Sequence, residues 1–153
     1  MGARHSGREA ALQMIFQMEA SGVRAEAVIA LFWRSFEAEP EGREYSDSAV
    51  RGIEDTLAAV DARITKASTH WRLERMSRVD RNVLRLGTWE LTNRADVPRA
   101  VILDEAVELA KSFGTEDSGA FVNGVLNRIA EDLGRHDGDS PSPSPRSSRN
   151  PRG

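Results

Sequence analysis

An all-α bundle of six to seven helices is the fold class this sequence predicts, and three observations carry the prediction. Apolar residues recur at intervals of three and four in one segment after another, the spacing of a helix that buries one face. No segment shows sustained period-2 alternation between hairpin turns. Glycine and X-Pro signals, which end helices, separate the periodic segments. About three helices fall before Trp71 and three after it, so the bundle is expected in two halves.

Each helix has its own signature. Ser6 to Glu9, S-G-R-E, has the spacing of a capping box, in which hydroxyl and carboxylate satisfy free N–H groups reciprocally. It opens a first helix through Leu12, Ile15, Phe16 and Glu19, with Gly22 as terminator. Val28, Leu31, Phe32 and Phe36 form a second, stopped by the Pro40–Gly42 region. Val50, Ile53, Leu57, Val60 and Ile64 make a third helix of about four turns, entered at Ser46 and Asp47. After a connection holding Trp71 and Leu73, Ser77 with Asp80 marks a fourth entry. Its apolar residues, from Val79 to Leu91, spread over a wide arc, as in a helix buried on more than one side. It ends before Asp96-Val97-Pro98, since a residue preceding proline is pushed out of the α region. Ile102, Ala106, Leu109 and Phe113 build a fifth helix closed by Gly114. A sixth starts at Asp117 or Ser118 and runs through Val122, Val125, Leu126, Ile129 and Leu133 to Gly134.

The 153 residues, 39% hydrophobic and 29% charged, are enough for one domain with its own core. Residues 1–134 form the expected domain. Residues 135–153, RHDGDSPSPSPRSSRNPRG, are expected to be a disordered tail, because they lack the apolar surface to offset ordering entropy. Without the tail's four Arg and two Asp, 17 basic and 22 acidic residues remain, a net −5 for the body. Any nucleic-acid binding therefore needs a local basic patch. No run reaches the ~18 apolar residues that cross a bilayer, and MGARHSGREAALQ has no continuous apolar segment of signal-peptide type. Neither membrane insertion nor export is expected. The absence of cysteine removes disulfides and thiolate zinc sites and fits a cytoplasmic protein.

Signals for catalysis are few. There is no Gly-rich phosphate loop, no H-E-x-x-H and no pair of Glu-x-x-His motifs. His5 lies near the start, His70 in a connection and His136 in the tail. Asp104, Glu105 and Glu108 form one tight carboxylate cluster, and Asp104 and Glu108 are spaced to share a hard cation. The plainer reading is a solvated helix face with Glu108 paired to Lys111. No enzyme activity, cofactor or metal is expected.

Two basic groupings stand out. Arg4, His5 and Arg8 lie at or just before the first helix start, where the helix dipole favours phosphate. Arg72, Arg75, Arg78, Arg81 and Arg85 follow, of which the last three share a helix face. That stripe is either solvated and paired, with Glu74 and Asp80 available, or a surface for RNA.

The stretch F-V-N-G-V-L-N, Phe121 to Asn127, has two faces. With Val122 at 0°, Val125, Leu126, Ile129 and Leu133 stay within about 60° of it, as a core stripe. Gly124 falls at about 200°, with Arg128 and Phe121 at about 240° and 260°. Either another helix presses against this second face, or the face is open and Phe121 beside Arg128 is a stacking platform for an unpaired base.

Four segments together resemble the NusB family of bacterial transcription antitermination factors. They are R-E-A-A-L-Q-M-I-F-Q, V-D-R-N-V-L-R-L-G-T-W-E-L, V-P-R-A-V-I-L-D-E-A-V-E-L-A-K-S-F-G and E-D-S-G-A-F-V-N-G-V-L, the last two being the most specific. The resemblance runs from residue 6 to about 131. It implies two helical subdomains without catalysis, binding boxA-type single-stranded RNA together with the ribosomal protein NusE. The pair would join an RNA-polymerase antitermination complex on ribosomal RNA transcripts. Carried onto this chain, the resemblance implies an RNA surface at Arg4, His5, Arg8, Asp117, Ser118 and Phe121, and a NusE surface at Phe16 and Asp80. There are departures: Phe16 stands where the family often has Tyr, Asp104 where Asn is expected, and the basic cluster before the first helix is diluted by His5 and Ser6. The same domain also fronts an RNA cytosine methyltransferase, whose α/β domain has no counterpart in this length. The competing reading is a helical protein–protein adaptor without RNA binding.

Overall fold

The computed structural model describes residues 2–136. Among these residues there are seven α-helices, one 3₁₀ turn and no strand. The helices are α1 (Gly2–Ser21), α2 (Ala25–Ser35), α3 (Pro40–Asp55), α4 (Leu57–Ala67), α5 (Arg78–Asn93), α6 (Arg99–Phe113) and α7 (Ser118–Asp132), with the 3₁₀ turn at Leu73–Arg75. α1, α2 and α3 pack on one another as one half, and α4 to α7 as the other. α5 lies between the halves and touches α1 and α3 as well as its own group. This explains its wide arc: Val83, Leu84, Leu86, Trp89 and Leu91 are all buried.

Three element boundaries differ from expectation. α1 begins at Gly2, so Ser6 is an exposed residue inside the helix and caps nothing. The extra turn is held by a crossing with α3. A Cβ added at Gly7 would lie 2.5 Å from the Gly42 carbonyl, and one at Gly42 would lie 2.5 Å from that of Ala3. Backbones this close demand glycine, at a helix-propensity cost of about 1 kcal/mol each that the packing offsets.

The Pro40–Gly42 region starts α3 rather than stopping α2. Pro40 takes the first helical position, where its fixed φ and missing N–H do no harm. Ser46 and Asp47 are therefore interior to α3: Ser46 is fully buried, and Asp47 accepts a hydrogen bond from the Trp33 indole at 2.8 Å. The long third helix is broken at Thr56 (φ −122°, ψ 23°), whose hydroxyl donates to the Gly52 carbonyl at 2.7 Å. The break falls where the chain leaves the first half for the second, and it leaves Leu57 exposed.

The other boundaries agree with the sequence. Ser77 caps α5 by accepting from the Asp80 N–H at 3.0 Å. Gly22 and Gly134 follow α1 and α7 with φ of +75° and +74°. Just past the expected 134/135 boundary, the Arg135 guanidinium donates to the carbonyls of Val97 at 2.7 Å and Leu91 at 3.2 Å. These bonds satisfy carbonyls at and beyond the C-terminal end of α5. The rest of the expected tail, 137–153, lies outside the described residues. No helix among the described residues is long and apolar enough to cross a membrane.

Candidate nucleic-acid interface

The three basic residues of α1 are all engaged with carboxylates. Arg4, about a third exposed, pairs with Glu41 at 3.2 Å and Asp96 at 3.3 Å. His5 Nδ1 lies 2.7 Å from Glu105 and its Nε2 lies 3.4 Å from Glu9. Arg8 is the most enclosed of the three. Placed two turns into α1, it is buried, with its Nε donating to Glu90 at 2.8 Å and a second carboxylate, Glu105, at 3.7 Å. It is a buried cation.

Glu90 is the centre of that interior network. It accepts from Arg8 and from a short hydrogen bond of the Tyr45 hydroxyl. Burial pushes its carboxyl up, while Arg8 and Tyr45 pull it back. The Tyr45 hydroxyl is also pushed up, first by burial and then by the Glu90 charge. Arg8 loses hydration by burial, yet Glu90 and Tyr45 more than compensate and its pKa is raised. Guanidiniums of Arg4, Arg8 and Arg94 lie 5.0, 5.1 and 4.5 Å from the Tyr45 ring centre. Arg94 grips Asp96 through two bonds of 3.0 and 2.9 Å, which with Arg4 lowers that carboxyl to about 2. Sequence reasoning missed Tyr45, Glu90, Arg94 and Asp96. A signal existed for Glu90, a lone charge within the apolar run L-G-T-W-E-L.

α7 presents the opposite situation. Val122, Val125, Leu126 and Ile129 are buried, so the core stripe lies where periodicity put it. The second face is open: Gly124 is exposed, and a Cβ added there would meet nothing within 4 Å. Of the two alternatives for this face, no helix among the described residues comes close at Gly124. Phe121 is half-buried against the core edge, and Asn123 and Arg128 are exposed. Asp117 is exposed at the helix entry. Ser118 is buried, its hydroxyl accepting from the Thr115 N–H at 3.0 Å, which shapes the turn.

The remaining residues sort similarly. Phe16 is half-buried, edge-on to the exposed Phe113 at 6.4 Å. Asp80 has a buried Oδ1 without a hydrogen-bond partner. The expected basic stripe is neutralised, though not by Glu74 or Asp80. Arg81 and Arg85 reach Glu19 at 2.7 and 3.2 Å, and Arg85 also grips Asp61 at 2.8 Å. Asp104 and Glu108 are exposed, whereas Glu105 turns toward His5 and Arg8. Among the described residues no group of three His, Cys, Asp or Glu could hold a metal ion.

Comparison with known proteins follows the same lines. The NusB family model matches residues 5–131. The chain is 69% identical over 139 residues to the transcription antitermination protein NusB of Sorangium cellulosum (strain So ce56), covering 91% of this chain and 99% of that one. A solved structure of T. maritima NusB is similar at a TM-score of 0.77 and 38% identity, over 84% of this chain and 91% of that one. A crystal structure of the antitermination factors NusB and NusE in complex with dsRNA matches at a TM-score of 0.77 and 25% identity, over 86% of this chain and 98% of that one.

Proposed function

The chain belongs to the NusB family, and from that membership we propose that it is a transcription antitermination factor binding boxA-type single-stranded RNA jointly with NusE, within an RNA-polymerase antitermination complex. The observation that carries the RNA reading is the open face of α7, where half-buried Phe121 stands beside a glycine with nothing over it and an exposed arginine. An aromatic ring held at the core edge stacks an unpaired base at small entropic cost, and Arg128 supplies attraction to phosphate. Asp117 accepts from base edges at the same helix entry. Arg4 flanks the strand with its remaining guanidinium nitrogen, and His5 stands beside it, held by Glu9 and Glu105. Arg8 acts through Glu90 by fixing α1 against α5, so it positions the surface without touching RNA.

NusE binding is assigned to Phe16 and Asp80. Phe16 and Phe113 offer an aromatic pair at the surface, and the part-exposed Asp80 adds a carboxylate at the start of α5. With Phe in place of Tyr at position 16, the contact is apolar. A regulatory binding role needs no reaction chemistry from these residues.

The test is an electrophoretic shift with a boxA-like strand, a scrambled strand and a duplex of the same sequence, each with and without NusE. The boxA-like single strand should bind best, and more tightly with NusE present. Equal, weak binding of all three under both conditions would sink the proposal, and binding of NusE alone would favour a protein adaptor without RNA.

A further inference from the structure

Four cations near the end of α4 are left over when the ion pairs are assigned. Arg81 and Arg85 end on Glu19 and Asp61, and Arg78 approaches Glu19 at 3.6 Å. Arg72 and Arg75, by contrast, are exposed and form no ion pair among the described residues, and the same holds for Arg63 and Lys66 in the last turns of α4. The 3₁₀ turn packs back on α4, so these residues share one end of the molecule. Residues 62–78 contain five Lys or Arg and one acid, Glu74, a local +4 in a body of −5.

Trp71 sits among them. Its Nε1 donates to the Arg75 carbonyl at 3.3 Å, and its own carbonyl accepts from the Ser68 hydroxyl at 2.8 Å, so the turn fixes the ring. Even so, Trp71 is 52% exposed, whereas Trp89 is 5% exposed. A fixed, solvent-facing indole in the same turn as exposed cations combines base stacking with phosphate attraction, the two interactions that hold single strands.

We propose that the α4–α5 turn, centred on Trp71 with Arg63, Lys66, Arg72 and Arg75, is a second contact surface for single-stranded RNA. It engages transcript beyond the boxA-type element, and it rests on the RNA-binding role proposed above. α5 carries this surface at its start and the Arg4–Arg94 cluster at its end; its 16 residues span about 24 Å. A strand held near Arg4 must be longer than the core element to reach Trp71.

The experiment compares a boxA-like strand with the same strand extended at both ends by enough unpaired nucleotides to cover that span. The wild type should bind the extended strand about tenfold more tightly. The double variant Arg72→Gln/Arg75→Gln, which removes no ion pair, should lose that gain, keep core-strand affinity, and lower the salt slope by about 0.7 per lost phosphate contact. Trp71→Phe should keep the gain and Trp71→Leu should lose it, with melting curves confirming the fold. An equal gain in the double variant, or no gain in the wild type while the core strand binds, overturns this surface and leaves the RNA role standing. No binding of either strand overturns both. Loss of NusE binding by the double variant with extended-strand affinity unchanged assigns the patch to the protein partner and overturns the inference.

Discussion

The start of α1 and the outer face of α7 were expected to form one RNA surface, yet they are built in opposite ways. In α1 each basic residue has a carboxylate: Arg4 has Asp96, His5 has Glu105 and Arg8 has Glu90. In α7, Gly124 and Arg128 are exposed, and Phe121 is half-buried against the core edge. The first region joins the two halves of the molecule; the second is free to meet a ligand. Charge in a sequence becomes binding potential only where folding leaves it unpaired.

The largest expected effect breaks the first region. Arg8→Ala leaves the Glu90 carboxylate buried without its cation and should cost about 3–5 kcal/mol of stability in urea titrations. Where the variant remains folded, the salt slope of RNA binding should match the wild type; a flattened slope with unchanged stability would return Arg8 to the surface. Phe121→Ala should weaken RNA binding by about 1–3 kcal/mol. It should destabilise less than Leu126→Ala, which empties a fully buried site at about 2–5 kcal/mol. Gly124→Ala meets no neighbour and should raise stability by about 0.5–1 kcal/mol in thermal melts. A lower RNA affinity in that variant would show the strand lying against the α7 backbone.

The smallest effect concerns Asp96. Its carboxyl is held at about 2 by Arg94 and Arg4, below the ordinary value, so its contribution to stability is present at neutral pH. That contribution fades as pH falls from the ordinary carboxylate range through about 2. Since the side chain is half exposed, Asp96→Asn should lower the melting temperature only slightly at neutral pH and not at all at the acid limit. The same variant releases Arg4 and Arg94 and should steepen the salt dependence of RNA binding; an unaltered slope would mean that neither arginine faces phosphate.

Helix existence was legible because the apolar spacing of Ile102 to Phe113 or Val122 to Leu133 needs no partner to be recognised. Boundaries set by other helices were not. The extra turn of α1 depends on Gly42, and the break at Thr56 depends on which half each segment packs against, neither of which is local. Pro40 was ambiguous in kind, since the same residue ends one helix or begins the next. The open side of α7 was visible in the angular positions of Phe121 and Gly124, but its openness needed the fold. Arg8 shows the reverse: its charge was visible, and its partner Glu90, 82 positions away, was not.

The most direct test measures boxA-like RNA affinity and thermal stability together for Phe121→Ala. Reading of RNA at the open face of α7 predicts an affinity loss of about tenfold or more with an unchanged salt slope, in a variant that melts close to the wild type. Wild-type affinity accompanied by a large drop in melting temperature would make Phe121 a core residue and contradict the account.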